Sequence, residues 1–388
     1  MARKRSPRKV RVDFRQNRQV RRRQDDWTRR YRTEEEKLDD TLRHESVRAK
    51  GDLSRKRTIV LGDDDAPLVD RQACRAGTVT QVHGRTCTVR DGQGQTWECS
   101  IRRVLRTRLI ETRSPVTVGD RVWFSDHAAE CDGLPVGVIE HVAERTSWLS
   151  RRDFRQREHT IVANADQLLA VLSLVQPRLR PHLADRYVVA ALKGGLRPLL
   201  CFNKVDLAED TSAAEDESQQ ATGQSVWDAI EEFRSLGYLC LCTSAVTGVG
   251  LDELRAALKD HLTVLAGQSG VGKSSLLNAI QPGLGLKTRE VSEETEKGRH
   301  TTTRAQLLPL DFGGYVVDTP GVRAFDVWGV KPGELEAFFE EFVPYVPQCQ
   351  FSDCVHRQED GCAVIAAVAA GAISPRRYAS YLKLLAEV

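Results

Sequence analysis

The chain has no uninterrupted apolar run of about 18 residues, so no transmembrane helix is expected. Its N-terminus carries charge with no apolar stretch behind it, which argues against a secretory signal. No internal repeat is found. Up to about Ala66 aliphatic residues are scarce. Too little could be buried there to offset ordering entropy, so most of that segment is expected to be disordered. Ten cysteines without a secretory route read as thiols or metal ligands rather than a disulfide framework. The expected compartment is the cytoplasm. A transit peptide is the alternative for the N-terminal arm, which is Arg-rich but not Ser-rich and contains aspartates.

What is present is a chain of 388 residues, 40% hydrophobic and 29% charged, enough for about two to four domains with real cores. The formal charge of +3 hides its distribution. Residues 1–32 hold fourteen Lys or Arg against Asp13, Asp25 and Asp26, a net +11, so the other 356 residues sum to −8. A basic arm on a mildly acidic body suggests an anionic partner, nucleic acid before membrane. A solvated tail with no specific role is the alternative.

Residues 75–142 show short alternating runs broken at His83-Gly84, Asp91-Gly92 and Gly119-Asp120, the pattern of a small antiparallel barrel of OB type. Arg102, Arg103, Arg106 and Arg108 could meet phosphates there, or form an exposed basic loop. From about Leu149 the pattern becomes α/β. Buried parallel strands are expected over 168–175, 199–202, 238–242, 262–266, 305–310 and 315–317, with helices over 226–235 and 251–261, hence a doubly wound sheet. Beyond Pro332 come an expected amphipathic helix over 334–343, a Cys/His cluster and two helices, the last opened by Ser374 and Pro375. The domains are therefore expected at 1–66 (basic extension), 67–145 (barrel), 146–330 (α/β) and 331–388 (a small helical unit around the Cys/His cluster).

Gly267-Gln268-Ser269-Gly270-Val271-Gly272-Lys273-Ser274 follows an expected strand and precedes a helix expected near Ser275, the context a phosphate loop requires. Glycines let backbone N–H groups turn onto phosphate oxygens. Lys273 then reaches the β- and γ-phosphates, and the Ser274 hydroxyl is placed for Mg²⁺. Chance gives the pattern in roughly one chain in 70 of this length, and a structural glycine turn is the alternative. Asn203-Lys204-Val205-Asp206 follows another strand. Its carboxylate can accept from both guanine N1–H and the exocyclic amine, a pair adenine cannot offer. Lys204 can lie along the base, Asn203 can hold the loop, and Thr243-Ser244-Ala245 would present a backbone N–H to guanine O6. In Asp318-Thr319-Pro320-Gly321 the aspartate would hold Mg²⁺ through water and Gly321 would sense the γ-phosphate. Residues 298–303 fit a switch segment, with Thr302 the choice for closing on Mg²⁺.

The base-reading elements precede the phosphate loop, and both precede the switches. Ordinary GTPases run the other way, so the order is a circular permutation. With this order, 203–206, 267–275, 298–303, 318–321 and 349–362 resemble the RsgA family of circularly permuted ribosome-biogenesis GTPases. Ala163-Asn164-Ala165-Asp166-Gln167 and Gly119-Asp120-Arg121-Val122 are also similar to it. The resemblance covers roughly residues 75–388 and leaves the basic arm outside.

It implies an OB-fold barrel, an α/β circularly permuted P-loop GTPase and a small helical zinc-binding domain. Together these would act as a monomer on the 30S ribosomal subunit and its 16S rRNA, binding GTP and GDP and no membrane, in late subunit maturation. Cys349, Cys354, His356 and Cys362 form a Cys₃His set, the donors of a closed structural Zn²⁺ site, although the spacing lacks the familiar C-x2-C. Cys201, Cys240 and Cys242 read as packed thiols. Val322 stands where many GTPases place a water-orienting Gln, so intrinsic turnover should be slow. The resemblance favours His300 for that role beside Lys273; a histidine packed in the switch is the alternative. Arg299 could neutralise developing charge or be merely exposed. Ala324 stands where the family usually has Glu. A GTP-gated RNA-binding scaffold with little turnover and a permuted GTPase of the large subunit remain as other readings. In the acidic body, RNA contact must rest on local patches such as Arg376 and Arg377 or the arginines at 102–108.

Overall fold

The computed structural model describes residues 8–14, 47–50, 54–61, 73–84, 86–102, 105, 116–131, 133–152, 158–208, 226–286, 305–318 and 330–388. Within the basic extension, β1 (Arg8–Phe14), β2 (Val47–Lys50) and β3 (Ser54–Leu61) form an antiparallel sheet in the order β1-β3-β2. The expected disorder does not extend to these strands. Val10, Val12 and Phe14 alternate along β1 opposite Ile59, Arg57 and Arg55, a period-2 signal that the composition of the whole arm averages away.

The barrel comprises β4 (Arg75–His83), β5 (Thr86–Asp91), β6 (Thr96–Ile101), β7 (Arg121–Cys131) and β8 (Leu134–Val142). They run in the order β4-β5-β6-β8-β7, and a β4–β7 pairing closes the ring. Every second residue of β5 and β6 turns inward, so Cys87, Val89, Trp97, Cys99 and Ile101 meet Val79, Phe124 and Ile139 in one core. The Trp97 indole N–H, carried into that core, donates to Asp91 Oδ2 at 3.1 Å.

A hairpin that the sequence did not announce follows, β9 (Trp148–Arg152) and β10 (Glu158–Ala163). Its end forms the joint to the barrel, and here two of the segments singled out from sequence meet. Ala163 N–H donates to Val118 O at 2.9 Å and Asn164 Nδ2 to Gly119 O at 3.0 Å. Gly119 has φ +88°, and a Cβ there would lie 2.0 Å from Ala163 O, so only glycine fits. Beside it the fully buried Asp120 carboxylate takes a two-pronged Arg145 contact at 2.8 and 2.9 Å.

The α/β part contains β11 (Gln167–Ser173), α1 (Pro181–Lys193), β12 (Arg197–Asn203), α2 (Val226–Ser235), β13 (Leu239–Thr243), α3 (Leu251–Leu258), β14 (Leu262–Ala266), α4 (Lys273–Ile280), β15 (Gln306–Pro309) and β16 (Tyr315–Asp318). The strand order is β13-β12-β11-β14-β16-β15, parallel except for β15. Along β11, Leu168, Ala170 and Leu172 face the helices α1 and α2, while Leu169 and Val171 face α3 and α4. Burial on both faces explains why these strands read as continuous apolar runs. The sheet continues into the barrel through Gln306 opposite Gln81, which makes eleven strands in all.

The C-terminal unit has a core of Leu335, Phe339, Phe342, Val364, Ile373, Tyr381 and Leu384, joined by Val189 of α1. The helix expected over 334–343 is instead a succession of 3₁₀ turns at Pro332–Phe338, Glu340–Phe342 and Val346–Gln348. The apolar spacing 335, 339, 342 suits either helix type, whereas Pro332, Pro344 and Pro347 remove donors and restrict their predecessors. α5 (Ala363–Ala369) and α6 (Pro375–Leu385) follow, and Ser374 Oγ accepts from Arg377 N–H at 3.4 Å as the cap of α6. No described helix is long and apolar enough to cross a membrane.

Arg376 and Arg377 do not form an outward patch. Arg377 is 1% exposed. Its guanidinium grips Asp185 of α1 and donates to both oxygens of Glu341, at 2.6 and 3.1 Å. Arg376 bonds Asp185 Oδ2 at 2.8 Å and Glu232 of α2. Arg377 also lies 4.6 Å over the Phe339 ring. Burial disfavours its charge, but Asp185 and Glu341 more than offset that and hold its pKa above the ordinary value. Arg102 is likewise tied to Glu140 at 2.6 Å, and Arg103, Arg106 and Arg108 lie outside the described residues.

Candidate nucleotide site and metal centre

Three parallel strands, β12, β13 and β14, deliver their C-terminal ends to one edge of the sheet, where an α/β fold places its ligands. β14 runs into the loop 267–272, where Gly267, Gly270 and Gly272 take φ of +143°, +81° and +94°. A Cβ at Gly267 would lie 2.3 Å from Val171 O, and one at Gly272 2.3 Å from Asn203 Nδ2. The first and last glycines are therefore required by close approach, not by turn preference alone. α4 opens at Lys273, two residues before the sequence estimate. Lys273 Nζ donates to the carbonyls of Gly267 and Gln268 at 2.7 and 2.8 Å, so its ammonium sits within the loop it would share with a phosphate.

The residues expected to read a base converge on the same loop. Asn203 is 1% exposed, and its Nδ2 donates to Val271 O at 2.8 Å. Thr243 Oγ1 donates to Asn203 Oδ1 at 3.2 Å and contacts Cys201 Sγ at 3.2 Å. Ser244 Oγ accepts from Val246 and Thr247 N–H, fixing the turn that carries Ala245. Lys204 has φ +64°, a strained setting for a non-glycine residue, and its ammonium bonds Gln176 O. Burial lowers the Lys204 pKa and the nearby Asp206 opposes that. Val205, Asp206 and Leu207 form a 3₁₀ turn. Asp206 Oδ1 is buried without a hydrogen-bond partner among the described residues. Such an atom costs about 1–3 kcal/mol unless a ligand donates to it.

Asn203, Lys204, Asp206, Thr243, Ser244 and the whole 267–275 stretch are thus brought together. Asp318 ends β16 in register with Leu265, one strand over from the loop. His300, Thr302, Gly321, Arg299, Val322 and Ala324 lie outside the described residues.

In the C-terminal unit the ligand atoms of Cys349, Cys354, His356 and Cys362 all lie within 4.8 Å of one another. His356 Nδ1 faces the three sulfurs at 3.6, 3.3 and 3.4 Å, and Cys349 and Cys362 Sγ are 4.0 Å apart. A tetrahedral ion with ordinary Zn–S and Zn–N bonds would hold such atoms about 3.8 Å (S to S) and about 3.6 Å (S to N) apart. The cluster can therefore hold a metal ion. Burial pushes the Cys354 thiol up to about 12 and raises Cys362, so a cation is what would bring out their thiolates. The loop is held by Glu359. Burial opposes its ionisation, but N–H groups of Val355, Gln358 and Arg357 donate to it and keep its pKa down at about 2.

Sequence reasoning missed Glu336, whose Oε2 receives His356 Nε2 at 2.5 Å. That contact leaves Nδ1 free for a metal, the usual outer support of a histidine ligand. No motif marks it, because it lies twenty residues upstream. The packed thiols are where they were expected. Cys201 is fully buried with its pKa pushed up to about 12, and Cys240 is 9% exposed.

Comparison with known proteins agrees with this geometry. The model of the RsgA GTPase family matches residues 142–328. A small ribosomal subunit biogenesis GTPase RsgA from Chlorobaculum tepidum is 40% identical over 318 residues, covering 80% of this chain and 97% of that relative. The crystal structure of YjeQ from Thermotoga maritima superposes with a TM-score of 0.62 at 37% identity, over 81% of this chain and 98% of that one. YloQ, described as a circularly permuted GTPase, gives a TM-score of 0.58 at 28% identity, covering 83% and 97%.

Proposed function

Because the chain belongs to the RsgA family of small ribosomal subunit biogenesis GTPases, we propose that it hydrolyses GTP to GDP and phosphate during late maturation of the 30S subunit, in contact with 16S rRNA, in the cytoplasm. The observation that carries the guanine assignment is the buried, unpartnered Asp206 Oδ1 beside a phosphate loop. Guanine N1–H and its amine would satisfy that carboxylate. Asn203 locks the base loop to the phosphate loop through Val271.

In this reading the N–H groups of 268–274 cradle the phosphates. Lys273 leaves its two carbonyls for the β- and γ-phosphates. Ser274, Thr302 and, through water, Asp318 are the residues that would hold Mg²⁺, which neutralises charge on the phosphate oxygens when bound. His300 orients the attacking water, and Gly321 senses the γ-phosphate. The Cys₃His centre takes one structural Zn²⁺, with Glu336 fixing the His356 ring. Barrel, zinc domain and basic arm contact RNA, the arm as an electrostatic tether.

GTP turnover measured with and without purified 30S subunits tests this. Stimulation by the subunit is expected; none at saturating subunit would leave a nucleotide-gated scaffold, and stimulation by 50S alone would move the partner to the large subunit. Asp206→Asn is expected to weaken GTP binding by roughly 10²–10⁴-fold and to gain xanthosine triphosphate, which offers the complementary pattern. Unchanged GTP affinity in that variant would refute the base assignment.

A further inference from the structure

The segment between β11 and α1 faces the phosphate loop and carries two cations that no step above uses. Arg178 and Arg180 line a cleft of about 380 Å³ with Pro177, and its opposite wall is Gln268 and Ser269 of the phosphate loop. The segment is pinned. Ser173 Oγ donates to Gln176 O at 3.0 Å and accepts from Gln176 N–H at 3.2 Å. Lys204 bonds the same carbonyl, and Leu179 N–H donates to Leu174 O at 3.2 Å. Leu179, 7% exposed, sinks into the core, while Arg178 and Arg180 on either side of it are exposed. Arg180 has extended backbone, and both arginines line the same cleft. Neither forms an ion pair with a described acid.

Position along the loop says which phosphate is near. Lys273 Nζ rests on the carbonyls of Gly267 and Gln268. This is the ammonium that serves the β- and γ-phosphates, and Gln268 is shared between it and the cleft. The geometry points to a guanidinium supplied within the chain: Arg178 or Arg180 closes over the γ-phosphate of bound GTP and stabilises the charge that builds on it during hydrolysis. This rests on the reading of 267–274 as the GTP phosphate loop. The guanidinium donates hydrogen bonds and transfers no proton. Arginine suits the task because its planar fork matches phosphate oxygens.

The test uses the full chain as Arg178→Ala, Arg180→Ala, the double variant and the matching Lys variants, without ribosomal subunits. Single-turnover GTP hydrolysis, affinity for fluorescent GDP, and capture of GDP with aluminium fluoride as a transition-state mimic are measured. The double Ala variant should hydrolyse GTP about 10- to 100-fold more slowly and lose the aluminium fluoride complex, with GDP affinity within about threefold. One single variant should carry most of the loss, and Lys should restore only part of it. Unchanged hydrolysis and mimic binding would overturn the proposal. So would unchanged hydrolysis with loss of subunit co-sedimentation, which would give the cleft to RNA phosphate. A wild-type chain that bound no guanine nucleotide would instead overturn the phosphate-loop reading, and this proposal with it.

Discussion

Stripping the metal from the Cys₃His centre is expected to unfold residues 330–388 while leaving guanine nucleotide binding in place. The reason is the size of what remains. The unit has one small core, its polar path from Cys349 to Cys362 is irregular turns, and α5 is seven residues long. Helices that short are not stable alone in water. His356 also sits at φ +57°, a conformation costing about 1–3 kcal/mol that the ligand set must hold in place. Small domains of this kind draw about 10–16 kcal/mol of apparent folding free energy from a structural zinc ion. Chelation, or Cys354→Ser, should therefore lower helical circular dichroism and open the segment to protease, with Zn²⁺ but not Mg²⁺ restoring it after chelation. Glu336→Gln should weaken metal affinity by about 10- to 100-fold without unfolding the unit at saturating metal. A chelated protein with unchanged protease resistance would contradict the assignment.

Arg377→Ala should cost about 3–5 kcal/mol of stability, the second-largest effect expected of a single change. The side chain joins three elements, taking Asp185 of α1 and Glu341 of the 3₁₀ turns from its place on α6. Asp185 is fully buried, so the variant leaves a carboxylate there with Arg376 as its remaining partner. Arg377→Lys should rescue little, because an ammonium cannot bridge two carboxylates along a planar fork. Denaturant midpoints followed at the C-terminal unit report the loss. A shift no greater than that of Lys383→Ala, on the exposed face of α6, would show that the buried network contributes nothing net.

The candidate nucleotide site was legible in the sequence because each of its pieces is contiguous. A phosphate loop needs its glycines, lysine and serine in one tight turn, so 267–274 is readable as a string, and the same holds for 203–206. The barrel and sheet strands were legible through periods of two and through apolar runs. What stayed hidden depends on partners far away in the chain. Arg376 and Arg377 look like a basic patch until Asp185, some 190 residues earlier, is placed beside them. Asn203 reads as part of the base loop, yet its amide also fastens the phosphate loop. Glu336 carries no motif because its role is defined by His356. The helix expected over 334–343 is a run of 3₁₀ turns, and the apolar spacing fits both. β1 and β3 were missed because composition was averaged over a segment in which only short stretches alternate.

The contact between Asn203 and Val271 also has a clock in it. Sixty-eight residues separate the two. A ribosome adding about 5–20 residues per second needs roughly 3–14 s to get from one to the other. At the start of that interval β11 and β12 exist and β13 is added within it, but the asparagine amide has no carbonyl to donate to until Val271 is made. In an unpermuted GTPase the nascent phosphate loop comes first and waits for the base pocket; here the wait is reversed. On the proposed reading, GTP would act as a late clasp on this chain, closing over two halves that were synthesised apart.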